Sequence, residues 1–133
     1  MKISTRGRYA LRAVVDLAEE GGGGYISLKA IARRQRLSVK YLEALFTLLV
    51  KGGVLLSRRG IDGGYALSEP AARISAFDVL RAIEGDLSIV NCLGREPRCP
   101  RSAQCRTRHL WKEIDALIQR KFKSTSVADL TRK

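Results

Sequence analysis

The run Ser27-Leu-Lys-Ala-Ile-Ala-Arg-Arg-Gln-Arg-Leu-Ser38-Val-Lys-Tyr-Leu-Glu-Ala-Leu-Phe-Thr-Leu-Leu-Val-Lys51 reads as two short helices joined by a tight turn. Ser27 and Ser38 each stand where a helix N-cap is wanted, because a serine hydroxyl accepts a hydrogen bond from a backbone N–H of the first turn. After Ser27, the residues Leu28, Ile31 and Ala32 point inward, and Lys29, Arg33 and Arg34 point outward. Gln35-Arg36-Leu37 makes the turn, and Leu42, Leu45, Phe46 and Leu49 then repeat the helical core spacing to about Lys51. Such a pair is a helix-turn-helix, whose second member lies in the DNA major groove. The non-core stripe of that second helix carries Lys40, Glu43, Ala44, Thr47 and Lys51, a face open either to solvent or to bases.

Downstream, Val54-Leu-Leu-Ser57 and Tyr65-Ala-Leu67 read as strands around Arg58-Arg-Gly-Ile-Asp-Gly-Gly64, whose glycines permit a hairpin loop. A hairpin directly after a helix-turn-helix makes a winged helix, and a tip with Arg58, Arg59 and Gly60 can approach the minor groove. Upstream, Leu11, Val14, Val15 and Ala18, widened by Ala10, Ala13 and Leu17, predict a first helix from Arg6 to Glu20 that is nearly buried all round. Gly21 to Gly24 end it in a mobile connection; no Lys-Ser/Thr follows them, so they are a poor phosphate loop. Ser75-Ala-Phe-Asp78 is a capping box opening a helix with Phe77, Leu80 and Ile83 inward and Gly85 as its stop. From Asp86 to Gln104 no period is sustained; beyond it, Leu110, Trp111, Ile114, Leu117, Ile118 and Phe122 predict a long amphipathic helix from about Cys105 to Phe122. Ser126-Val-Ala-Asp129 is a last capping box before a terminal turn.

The fold class is therefore mainly α with a small β-hairpin wing, followed by a long C-terminal helix suited to dimerisation. Residues 1–84 form the winged helix-turn-helix and its following helix, residues 85–104 a cysteine-bearing segment, and residues 105–133 the dimerisation helix and tail. A length of 133 residues fits this single-core plan and leaves no room for a large two-domain enzyme. With 25 Lys plus Arg against 13 Asp plus Glu, the formal charge of +12 calls for an anionic partner, and double-stranded DNA is the first suspect. The absence of an apolar run of spanning length, and of a secretory h-region after Met1, predicts a cytoplasmic chain with no membrane span. One histidine and no nucleophile–base–acid grouping argue against an enzyme.

All three cysteines, Cys92, Cys99 and Cys105, fall within 14 positions, an odd and clustered set unlike a disulfide framework. Thiolates are soft ligands for iron–sulfur clusters or zinc, and spacings of seven and six positions, with Pro97 and Pro100 between, let one loop wrap a metal group. Arg95, Arg98, Arg101, Arg106 and Arg108 surround the sulfurs and favour thiolates, which bind metal or react with oxidants. A cluster and a thiol switch both remain open on these residues.

In order along the chain, Gly7-Arg8-Tyr9-Ala10, Tyr41-Leu42-Glu43 with Leu45-Phe46, Arg59-Gly60 with Gly63-Gly64-Tyr65, the three cysteines, and Leu110-Trp111 resemble the Rrf2 family, the bacterial winged-helix regulators typified by IscR, NsrR, RirA and CymR. The resemblance spans nearly the whole chain. It implies a homodimeric, sequence-specific transcription regulator, read as a repressor, whose DNA binding responds to an iron–sulfur cluster of the [2Fe–2S] type. On it, Ser38, Lys40, Tyr41, Glu43, Ala44 and Thr47 meet the major groove, Arg59 and Gly60 the minor groove, and Lys2, Tyr9, Lys40 and Arg58 the phosphates. The cluster would rest on Cys92, Cys99 and Cys105. Its fourth ligand departs from the family pattern: Arg108 stands where IscR-like members carry a ligating His, and Arg8 where NsrR-like members offer an Asp. His109, four residues after Cys105, is the completing ligand expected here if both lie on one helix face. The alternatives are a thiol-switch regulator without a cluster and a basic RNA- or ribosome-associated protein with a structural metal loop.

Overall fold

The computed structural model describes residues 3–93, 100–101 and 103–132. In chain order these form α1 (Thr5–Gly21), α2 (Leu28–Gln35), α3 (Val39–Lys51), β1 (Leu55–Arg58), β2 (Gly64–Leu67), α4 (Ala76–Glu84), α5 (Arg108–Ser124) and α6 (Val127–Leu130). Short 3-10 turns occupy Ala71–Arg73 and Asn91–Leu93. The fold is mainly helical with a small β-hairpin wing, as the sequence predicts.

Serine starts five of the six described helices. Ser4, Ser27, Ser38, Ser75 and Ser126 accept hydrogen bonds from the N–H groups of Gly7, Ala30, Tyr41, Asp78 and Asp129. Asp78 and Asp129 answer by accepting from the N–H of Ser75 and Ser126, each at 2.9 Å, which completes both capping boxes. The exception is α5. Its N-cap Thr107 makes no side-chain cap bond, and the Thr107 hydroxyl instead lies 3.3 Å from Cys105 Sγ. The helix expected from Cys105 therefore begins at Arg108, leaving Cys105 outside it.

Phe46, Leu42, Leu45 and Leu49 of α3 form the centre of the core with Val14 and Leu17 of α1, Ile31 of α2, Val79 of α4 and Val127 of α6. The first helix is buried along one broad face and not all round: Arg6, Arg8, Arg12 and Glu20 are exposed. At its start, Ser4 donates from N–H and Oγ to the two Glu84 carboxylate oxygens at 2.8 and 2.6 Å, clamping α1 to the end of α4. Midway along it, buried Asp16 accepts from Arg34 Nη2 at 2.6 Å, Arg34 Nε at 3.0 Å and Gln35 Nε2 at 2.9 Å. Arg34, expected to point outward, is thus half-turned back onto α1. Phe77, expected inward, is half-buried, with Lys123 Nζ 4.6 Å and the Arg81 guanidinium 6.0 Å from its ring centroid.

The wing pairs Leu55 with Leu67 through Arg58 with Gly64 in antiparallel register. A third extended piece joins it, because Ile26 and Tyr65 exchange N–H to C=O bonds of 2.9 Å in both directions. Gly64 makes this approach possible: its φ is +142°, and a Cβ there would run into the Ile26 carbonyl. The chain returns at its other end, where Val127 N–H bonds the Ile74 carbonyl at 2.7 Å and Ala76 N–H bonds the Thr125 carbonyl at 2.8 Å.

Two stability outcomes are expected. Gly52 has an ordinary φ of −81°, yet a Cβ there would stand 2.7 Å from Ala82 Cβ. Gly52→Ala should lower stability by about 1–3 kcal/mol in chemical denaturation, and Ala82→Gly in the same chain should recover part of the loss. Asp16→Ala, which leaves the Arg34 and Gln35 donors without their acceptor, should cost about 1–3 kcal/mol by the same measurement.

Candidate nucleic-acid interface and cysteine segment

The turn between α2 and α3 is set by Arg36, which takes the left-handed conformation at φ 56° and sends its N–H back to the carbonyls of Ala32 and Arg33. It aims α3 across α2 with Leu42, Leu45, Phe46 and Leu49 inward, so Ser38, Lys40, Glu43, Ala44, Thr47 and Lys51 are all exposed. Thr47 Oγ1 donates to the Glu43 carbonyl at 2.9 Å, which fixes its rotamer and leaves the oxygen able to accept. Tyr41 is half-buried and meets the Tyr9 ring edge to face, with centroids 6.2 Å apart. The Arg12 guanidinium carbon also lies 5.2 Å from the Tyr9 ring centroid. These contacts join the start of α3 to α1 and hold both tyrosines beside the exposed stripe. Lys2 lies outside the described residues.

The wing stands next to the same stripe. Burial first, and the Glu43 charge second, push the Tyr65 phenol pKa up, so Glu43 is within electrostatic reach of the wing base. At the tip, Arg59 and Gly60 are exposed and Ile61 is fully so. Gly60 has a φ of +105°, as the tip turn requires. Arg58 is engaged twice: its guanidinium carbon is 4.2 Å from the Tyr25 ring centroid, and its Nη2 donates to the Asp62 carbonyl at 2.7 Å.

Of the three cysteines, Cys92 is half-buried in the 3-10 turn Asn91–Leu93, Cys105 is exposed, and Cys99 lies outside the described residues. The Thr107 hydroxyl holds the Cys105 thiol below its ordinary pKa, helped by backbone N–H groups and the Arg108 charge. Arg108 Nε is buried and has no hydrogen-bond partner among the described residues. His109 is exposed, and its Nε2 lies 2.6 Å from Glu113 Oε1, one turn further along α5. Because Cys105 precedes the helix, it and His109 do not share a helical face as expected. Among the described residues no group of three His, Cys, Asp or Glu side chains is placed to hold a metal ion. The stretch leading into Cys92 is tied to the middle of α5, since Ile89 N–H donates to Asp115 Oδ1 at 2.9 Å while Gln119 Nε2 donates to Oδ2 at 2.9 Å. No described residue of α5 is fully buried; Trp111, Ile114, Ile118 and Phe122 are half-buried and Leu110 and Leu117 are 50% and 57% exposed, so its apolar face is only partly covered.

Sequence reasoning passed over Tyr25, Asp115 and Ile61. Tyr25 and Asp115 act through partners 33 and 26 residues away, a separation that no local period reports. Ile61 carried a signal: an apolar residue between glycines in a polar loop.

The chain matches the Rrf2 family, described as an iron-dependent transcriptional regulator, over residues 3–133. It is 42% identical over 132 residues to the protein rrf2 of Nitratidesulfovibrio vulgaris, covering 99% of this chain and 88% of that one. Among solved structures, CymR of B. subtilis, titled the global cysteine regulator, superposes with a TM-score of 0.80 at 39% identity, covering 98% of this chain and 95% of that chain. IscR of T. potens superposes with a TM-score of 0.77 at 35% identity, covering 98% and 85%. Among the described residues, no helix is long and apolar enough to cross a membrane. A helix-turn-helix with an exposed second helix, a basic wing beside it, and a family match over all but the first two residues lead to one conclusion: this chain belongs to the Rrf2 family of transcriptional regulators, proteins that are not enzymes.

Proposed function

We propose that this regulator binds double-stranded DNA as a homodimer and that an iron–sulfur cluster, of the [2Fe–2S] type, on Cys92, Cys99 and Cys105 controls its binding. The observation that carries the control reading is the double attachment of the cysteine segment to α5. Asp115 holds the segment before Cys92, and Cys105 ends the segment three residues before the helix starts. Any group that orders these sulfurs acts on both ends of that attachment. The donor chemistry fits: three soft thiols in the sequence, of which Cys105 has a lowered pKa and lies within electrostatic reach of Arg108. When bound, the cluster supplies an oxidant-labile, redox-active centre. His109 is the proposed fourth ligand, and in that role its Nε2 leaves Glu113. Here residues 1–84 read DNA, residues 85–104 sense, and residues 105–133 dimerise, α5 offering the partly covered apolar face that carries exposed Leu110 and Leu117 to the second copy.

On the DNA side, α3 enters the major groove with Ser38, Lys40, Tyr41, Glu43, Ala44 and Thr47, and Arg59 and Gly60 reach the minor groove. Lys2, Tyr9, Lys40 and Arg58 meet phosphates. Glu43 is the informative residue, because a carboxylate facing phosphates is electrostatically out of place unless it reads a base such as cytosine through N4. Glu43→Ala should lower discrimination at one base pair by about 1–3 kcal/mol while affinity for random duplex holds or rises. Equal loss on specific and random duplexes in a gel-shift titration would contradict that role.

The second reading, a thiol switch without a cluster, is favoured by one observation: Cys105 is exposed and its thiol is biased toward the reactive thiolate. Anaerobic purification followed by visible spectroscopy and iron and sulfide assay separates the two. The cluster reading expects iron, acid-labile sulfide and a chromophore that is lost on Cys→Ala at each of the three positions and shifted by His109→Ala. Wild-type protein without iron or sulfide, whose DNA binding instead follows reversible thiol oxidation, would establish the switch.

A further inference from the structure

We propose that Tyr25 is a positioning residue for the wing. Its ring holds Arg58, and Arg58 in turn fixes the tip loop that presents Arg59. Tyr25 follows the glycine run and immediately precedes Ile26, the residue whose backbone pairs with Tyr65 of β2. The end of the α1–α2 connection therefore runs beside the wing as a third extended piece, and the Tyr25 ring comes under the Arg58 guanidinium at 4.2 Å. That is well inside the range of roughly 6 Å over which an aromatic face attracts a cation. The same guanidinium donates through Nη2 to the Asp62 carbonyl, so one side chain spans the loop from the end of β1 to the residue before Gly63. Such support matters because the hairpin has only four paired positions, and a two-stranded hairpin is marginal in water.

The two neighbouring arginines thus have different work. Arg58 is stacked and bonded, whereas Arg59 is exposed and makes no hydrogen bond or ion pair among the described residues. Arg58 still has guanidinium donors to offer a phosphate, but its first task is to hold the loop. The proposal rests on the reading that the wing meets DNA, and the experiment keeps the two apart.

The probe is a duplex enriched by the wild-type protein from a random-sequence pool, titrated with Tyr25→Leu, Tyr25→Phe, Arg58→Ala, Arg59→Ala and the Tyr25→Leu/Arg58→Ala pair. Tyr25→Leu should weaken binding by about 2- to 5-fold, and Tyr25→Phe, which keeps the ring, should restore it. Tyr25→Leu should add nothing in the Arg58→Ala background. Without DNA, NMR of the arginine side chains should show Arg58 Hδ shifted upfield by the ring in wild type and Tyr25→Phe, with the shift lost in Tyr25→Leu. If Leu and Phe behave alike, or if the Leu effect persists without Arg58, Tyr25 has no positioning role. If Arg59→Ala binds as tightly as wild type while the NMR shifts are as expected, the wing–DNA reading is what fails.

Discussion

A buried carboxylate sets the geometry on which the reading head depends. Asp16 is the one charged residue buried among the described residues, and burying a carboxylate is costly unless donors surround it. Both donor residues, Arg34 and Gln35, sit in the last turn of α2, and the Asp16 hydrogen bonds hold the Arg34 guanidinium above its ordinary pKa. Gln35 also ties back to α1, its Oε1 accepting from Arg12 Nε at 3.2 Å. Eight residues of α2 would not stay helical alone, and the four glycines before Tyr25 transmit no angle. The direction of α2, and through the Arg36 turn that of α3, is therefore fixed by polar contacts of defined geometry where apolar packing would leave it freer to slide.

Local chemistry made most of the fold legible. Ser27, Ser38, Ser75 and Ser126 are readable as caps because a capping hydroxyl acts within three residues, and all four cap as expected. The wing was legible from its glycines. Local reasoning went wrong where one side chain had two possible partners. Thr107 turns to Cys105 and not to an N–H of α5, so apolar periodicity carried the helix three residues too far. Arg34 looked like a solvated cation because its partner is 18 positions upstream on another helix.

The interface and the cysteine segment differ in the same way. The exposed stripe of α3 follows from helical period alone, since whatever lies opposite Leu42, Leu45 and Leu49 must face out. What surrounds the sulfurs is set by chain reversals that carry no period. The bond from Ile89 to Asp115 joins an irregular segment to mid-helix, and nothing in the spacing of either marks the other.

The seating of Val127 in the central core bears on how the protein is made. It is fully buried in a core whose first element, α1, begins at Thr5, and Arg132 N–H reaches back to Glu19 across 113 positions. Synthesis runs from the N-terminus, so α1 emerges first and waits longest for its last neighbour. A nascent chain that already contains α1 to α4 has the whole reading head and still lacks a residue of its interior. Folding is thus weighted toward the emergence of α6, and contacts of this sequence separation slow that closure. A ribosome stalled within α5 would hold a winged helix with an open seam beside Ile74.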